Sequence, residues 1–113
     1  MNCKTITYPL FERALKRLAK KYRSIGEDYK KLLDELQRNP LAGADLGRGL
    51  RKVRMTISAK GKGKSGGARV ITLILAYSEE EAEIGLLYIY DKSERESLTD
   101  SELMELLRRN DII

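Results

Sequence analysis

The apolar residues of this chain change their spacing once, and that change fixes the class of fold available to it. From Pro9 to Leu36 they recur at helical intervals, whereas from Lys52 to Tyr90 they alternate or run on unbroken. Helices followed by strands, rather than interleaved with them, imply an α+β fold with a mostly antiparallel sheet. At 113 residues the chain is expected to make one domain, residues 1–113.

Lys4-Thr5-Ile6-Thr7-Tyr8 is short and β-prone, a first or edge strand. Pro9 then suits the first turn of a helix with Phe11, Ala14, Leu15, Leu18, Ala19 and Tyr22 on one face. Ser24, with Glu27 three residues on, reads as a capping box for a second helix carrying Ile25, Tyr29, Leu32, Leu33 and Leu36. Asn39-Pro40 ends it, so the two form a helical hairpin. Residues 41–49 read as loop. Val53, Met55 and Ile57 then alternate with Lys52, Arg54 and Thr56, as in a half-buried strand.

Residues 58–67 have no apolar side chain larger than Ala59 and read as a flexible hairpin loop. The runs Arg69 to Leu75 and Ile84 to Tyr90 read as central strands covered on both faces, joined by an acidic turn at Ser78–Glu81. Thr99 and Glu102 form another capping box, and Leu98 and Leu103 a hydrophobic staple, for a last helix. The expected order is β-α-α-β-β-β-α: an N-terminal strand and helical hairpin packed on a four-stranded sheet, with a C-terminal helix.

Charge is unevenly placed. Residues 45–72 carry eight Lys/Arg against the single acid Asp45, whereas residues 73–113 carry four against eleven acids. Such a cationic segment favours a polyanionic partner, nucleic acid above all. No run of apolar residues is long enough to span a bilayer, and the N-terminus lacks the apolar stretch of a signal peptide. With the lone cysteine Cys3, these features imply a cytoplasmic protein.

The absence of histidine leaves no zinc site and no Ser-His or Cys-His pair. Magnesium held by carboxylates alone stays open, but the acids crowd into the acidic turn and the last helix, away from the basic segment, so neither cofactor nor metal is expected. The Gly-Lys-Gly-Lys-Ser run at 61–65 is followed by a strand rather than the helix a phosphate-binding P-loop needs. Lys52 and Arg54 lie two apart on a strand and share a face, which Arg69 joins across a hairpin. Tyr88 and Tyr90 also share a face, and Lys92 follows them. Together they could clamp phosphates and stack unpaired bases, the two needs of single-stranded RNA recognition. Lys60, Lys62 and Lys64 of the loop, with Arg51, extend the candidate RNA contacts.

Leu50-Arg51-Lys52-Val53-Arg54, the block from Gly61 to Ile71 containing Gly-Lys-Ser-Gly-Gly-Ala-Arg, Asn39-Pro40-Leu41-Ala42-Gly43 and Tyr90-Asp91-Lys92-Ser93 together resemble the HigB branch of the RelE/ParE toxin superfamily. The resemblance implies a toxin that cuts mRNA on the ribosome without a metal, held in check by a cognate antitoxin. Its catalytic set matches Lys52, Arg54 and Arg69, with Lys92 where an arginine is more usual. A late catalytic tyrosine found in some members falls near Leu98 and is absent, leaving Lys52 or Tyr90 as the general base. The alternatives are a gyrase-inhibiting toxin of the ParE type and a non-catalytic nucleic-acid-binding module.

Overall fold

A computed structural model describes residues 2–113. Two helices, a sheet and a closing helix follow one another as expected from the sequence, with two departures in the sheet. Strand β1 (Asn2–Thr7) leads into α1 (Pro9–Lys21) and α2 (Ile25–Arg38); then come β2 (Ala44–Gly47), β3 (Leu50–Met55), β4 (Ala68–Tyr77), β5 (Glu81–Asp91) and α3 (Asp100–Arg109). The order across the sheet is β1-β5-β4-β3-β2.

The first departure is β2, expected to be loop. Gly47, Arg48 and Gly49 all have positive φ and fold residues 44–52 into a tight hairpin, so Asp45 pairs with Arg51 and Ala44 with Lys52. The second is β1, an expected strand that runs parallel to β5: β2 makes the sheet five-stranded, and β1 makes it mixed. The antiparallel set β3-β4-β5 behaves as expected, with β4 and β5 buried along most of their length.

Each face of the sheet has its own cover. On one, Phe11, Ala14 and Leu18 of α1 and Ile25, Leu32 and Leu36 of α2 pack on Val53, Met55, Val70, Leu86 and Ile89. Burying each such aliphatic side chain contributes about 1.5–3 kcal/mol. On the other, Leu103, Leu106 and Leu107 of α3 cover Leu50, Ile71, Leu73 and Leu87. Because α3 spans only ten residues, it leaves the neighbouring part of this face open.

Helix α3 begins with the anticipated Thr99–Glu102 capping box, and Leu98 packs with Leu103 in the same cluster. Helix α2 does not form its expected box: Ser24 makes no side-chain cap bond, and its hydroxyl donates instead to Asp28 at 2.7 Å. Asp28 is 2% exposed, and its carboxylate accepts from the Ser58 amide (2.9 Å) and hydroxyl (2.6 Å). The Ala59 amide donates to Ser24 Oγ. The helical hairpin therefore grips the start of the segment that follows β3.

Candidate functional site

Period-two alternation and strand register assemble the site. Arg54 of β3 pairs with Arg69 of β4, which pairs with Tyr90 of β5. In the adjacent row Lys52 faces Ile71, and Ile71 faces Tyr88. Ile71, Tyr88 and Tyr90 of these rows pack in the α3 cluster, while Lys52 and Arg54 stand outside it. An open cleft of about 900 Å³ lies over them, lined by Lys52, Arg54, Lys64, Arg69 and Lys92, with Glu35 and Glu96. Four of the five expected catalytic residues thus share one cavity.

Two close approaches shape its floor and wall. A Cβ on Gly67 would lie 2.2 Å from the Met55 carbonyl oxygen, and one on Gly43 (φ 91°) would lie 2.3 Å from that of Lys52. Only glycine fits at either position. At Gly67 the close passage also lets its carbonyl accept from the Lys92 amide at 3.1 Å, fixing where Lys92 enters the cleft.

Arg69 is a buried cation, 4% exposed, with no carboxylate partner among the described residues. Its guanidinium donates to the backbone carbonyls of Lys64, Ala68 and Ser65 at 3.0–3.2 Å. Burial, and then the neighbouring Arg54, push its pKa down, while Tyr90 opposes the shift. A desolvated charge held by neutral carbonyls retains much of its demand for an anion. Among the described residues Lys52, Arg54 and Lys92 also lack ion-pair partners. The cleft therefore collects four cations without an ion-pair partner among the described residues.

The expected RNA contacts divide. Lys62 is exposed, and Lys64 lines the cleft with its ammonium 2.7 Å from Glu35 of α2. Lys60 turns inward, its ammonium 2.8 Å from Asp91, which is fully buried. Arg51 points to the opposite face from Lys52 and donates to the Ala42 and Gly43 carbonyls. Tyr88 is half-buried and stacked on Tyr90, with ring centroids 6.3 Å apart.

Tyr90, expected on the open surface, is 3% exposed, and its hydroxyl has no partner. Burial raises its pKa, with Arg69 and Arg95 pulling the other way. A buried hydroxyl without a partner stabilises little, so Tyr90→Phe is expected to leave stability unchanged or up to about 1 kcal/mol higher. Chemical denaturation of the two proteins measures this; a loss above about 1 kcal/mol would mean that the hydroxyl has a partner in solution.

The expected loop is anchored near both of its ends. Residues 58–60 form a 3-10 turn held by Asp28 and Asp91, and Arg69 clasps the carbonyls of residues 64 and 65. Asp91 accepts from Tyr22 Oη at 2.5 Å, from Lys60 Nζ, and from the amide and hydroxyl of Ser93. Burial alone would raise its carboxyl, but these bonds outweigh burial and hold it well below the usual carboxylate range.

Sequence reasoning missed Asp28, Asp91, Glu35 and Glu96. For Asp28 a signal existed: it sits between Ile25 and Leu32 on the apolar stripe of α2, where an acid needs a buried partner.

A family model described as the RelE toxin of the RelE / RelB toxin-antitoxin system matches residues 10–111. Among the described residues no helix is long and apolar enough to cross a membrane, and no three His, Cys, Asp or Glu side chains are grouped to hold a metal.

Proposed function

Since the chain belongs to the RelE toxin family, the toxin half of a toxin–antitoxin system, we propose that its cationic cleft is an endoribonuclease site that cuts messenger RNA on the ribosome in the cytoplasm, without a metal. One observation carries the reading: Lys52, Arg54, Arg69 and Lys92 converge on one cleft with no carboxylate among the described residues paired to any of them. Cations left unpaired this way suit a ligand that brings its own negative charge.

RNA carries its own nucleophile. The 2′-hydroxyl attacks the adjacent phosphorus, and negative charge gathers on the phosphate oxygens as the 5′-oxygen leaves. Arg54 and Arg69, side by side in register, present guanidinium groups to those oxygens. The carbonyls around Arg69 hold its head group in place before substrate arrives, so little reorganisation accompanies the reaction. Lys92 meets the leaving 5′-oxygen, and Lys52 neutralises a neighbouring phosphate. Lys62 and Lys64 extend the positive surface along the strand. Tyr90 backs the floor from within, and the half-buried Tyr88 offers its exposed edge to a base. The likeness to the HigB branch supports the same assignment, with the cognate antitoxin as the partner that silences the cleft.

Cleavage of mRNA on purified ribosomes is expected to leave a 2′,3′-cyclic phosphate and a 5′-hydroxyl. It should persist when EDTA is added with magnesium held at the level ribosomes require, after pretreatment of the toxin with the chelator to strip bound transition metals. Intact mRNA, with gyrase–DNA complexes accumulating in cells instead, would replace this reading by the gyrase one.

A further inference from the structure

We propose that Glu96 is the general base that takes the proton from the attacking 2′-hydroxyl. The inference rests on the nuclease reading above and supplies the group that reading lacks. The chain has no histidine. The Tyr90 phenol is buried beneath the site and shifted toward its protonated form. An ammonium must lose its proton before it can accept one, whereas a carboxylate is ionised at neutral pH.

Only two carboxylates line the cleft among the described residues, Glu35 and Glu96. Glu35 is occupied by the Lys64 ammonium at 2.7 Å. Glu96 is exposed and has neither an ion-pair partner nor a hydrogen-bond donor among the described residues.

Its position follows from how the segment between β5 and α3 is tied. Asp91 turns inward to Lys60 and Tyr22, and the amides of Glu94 and Arg95 donate back to the Asp91 carbonyl. Glu94 reaches α1, where Arg17 and Lys21 hold it. Arg95 pairs with Glu102 of α3, and its Nε donates to the Ser97 carbonyl. With its neighbours anchored to α1, α3 and the interior, Glu96 is the acid of this segment that opens on the cleft. It shares the cleft with Lys52 and Arg54 from β3, Arg69 from β4, Lys64 from the loop, Lys92 from its own segment and Glu35 from α2.

The step balances without a co-reactant. Glu96 accepts the 2′-hydroxyl proton as the O2′–P bond forms. The P–O5′ bond breaks, and the leaving oxygen takes a proton from the Lys92 ammonium. Solvent then returns both side chains to their starting charge.

The test uses the full-length toxin on ribosomes programmed with one defined mRNA, with single-turnover cleavage and ribosome binding measured separately. Glu96→Gln is expected to slow cleavage by about 10²–10⁴-fold. Binding should hold or tighten, because a negative charge has left a surface that meets a polyanion. Formate should restore part of the lost rate to Glu96→Ala and none to Arg54→Ala, since formate replaces a carboxylate and not a guanidinium. Wild-type cleavage by Glu96→Gln would overturn the proposal and leave the cationic-cleft reading intact. So would a rate loss in Glu96→Ala that formate does not touch. Failure of the wild-type protein to cut mRNA at all would overturn both.

Discussion

Replacing Arg54 by alanine is expected to slow mRNA cleavage by about a hundred- to a thousandfold, with the folded protein unharmed. The rate loss corresponds to about 3–4 kcal/mol of transition-state stabilisation, the scale on which a single preorganised donor to developing negative charge acts. Folding should be spared because Arg54 is exposed on its strand and carries neither an ion pair nor a side-chain hydrogen bond. Substitutions at such positions usually change stability by less than about 0.5 kcal/mol. Arg54→Lys should recover only part of the rate, because an ammonium restores charge but not the two-pronged geometry a guanidinium offers a phosphate. Single-turnover cleavage alongside thermal unfolding decides the matter. Equal rates for Arg54→Ala and wild type would remove Arg54 from the chemistry, and a parallel fall in melting temperature would make its role structural.

Asp91→Ala should have the opposite signature, a large loss of stability. Removing this carboxylate strands the Lys60 ammonium, whose side chain is only 10% exposed, and frees the Tyr22 hydroxyl and Ser93 amide. Breaking one side of a buried ion pair costs about 3–5 kcal/mol, much of it from the charge left behind. Changing both members, Asp91→Leu with Lys60→Met, should therefore restore part of the stability lost in the single variant.

The same carboxylate makes stability depend on pH. Its folded pKa lies well below its unfolded one, so its contribution is complete at neutral pH. That contribution declines as the pH falls below the ordinary carboxylate value of about 3.9. Wild type and Asp91→Ala should accordingly differ most in urea midpoint at neutral pH and converge in acid. A constant gap down to about pH 2 would show that Asp91 carries no coupled charge.

The parts of the fold written in local patterns were readable in advance. Alternation at 52–57 placed Lys52 and Arg54 on one face, and the apolar runs of β4 and β5 announced buried central strands. The Thr99–Glu102 box needs only residues three apart. What stayed hidden depends on partners distant in sequence. The parallel pairing of β1 with β5 joins Asn2 to Glu81, a relation no short window contains. Ser24 has the right neighbour for a capping box, yet Asp28, drawn to Ser58, claims its hydroxyl.

The loop lysines show the same limit. Lys60, Lys62 and Lys64 look alike in a Gly-Lys repeat, and only Asp91, thirty-one positions on from Lys60, selects the first for the interior. Within the site, the cations were legible because strand periodicity sorts them. The carboxylates of Glu35 and Glu96 were not, because one comes from the helical hairpin and the other from a turn whose path is set by its tethers.

The place of β5 between β1 and β4 bears on the order in which the chain is made. Strand β1 is made before β5 and waits for it before it finds its hydrogen-bonding neighbour in this sheet, and the helical hairpin has only part of its platform until then. Lys92 is added later still. A chain made only as far as β4 consequently lacks the strand that joins β1 to the rest of the sheet, and lacks Lys92 from the cleft.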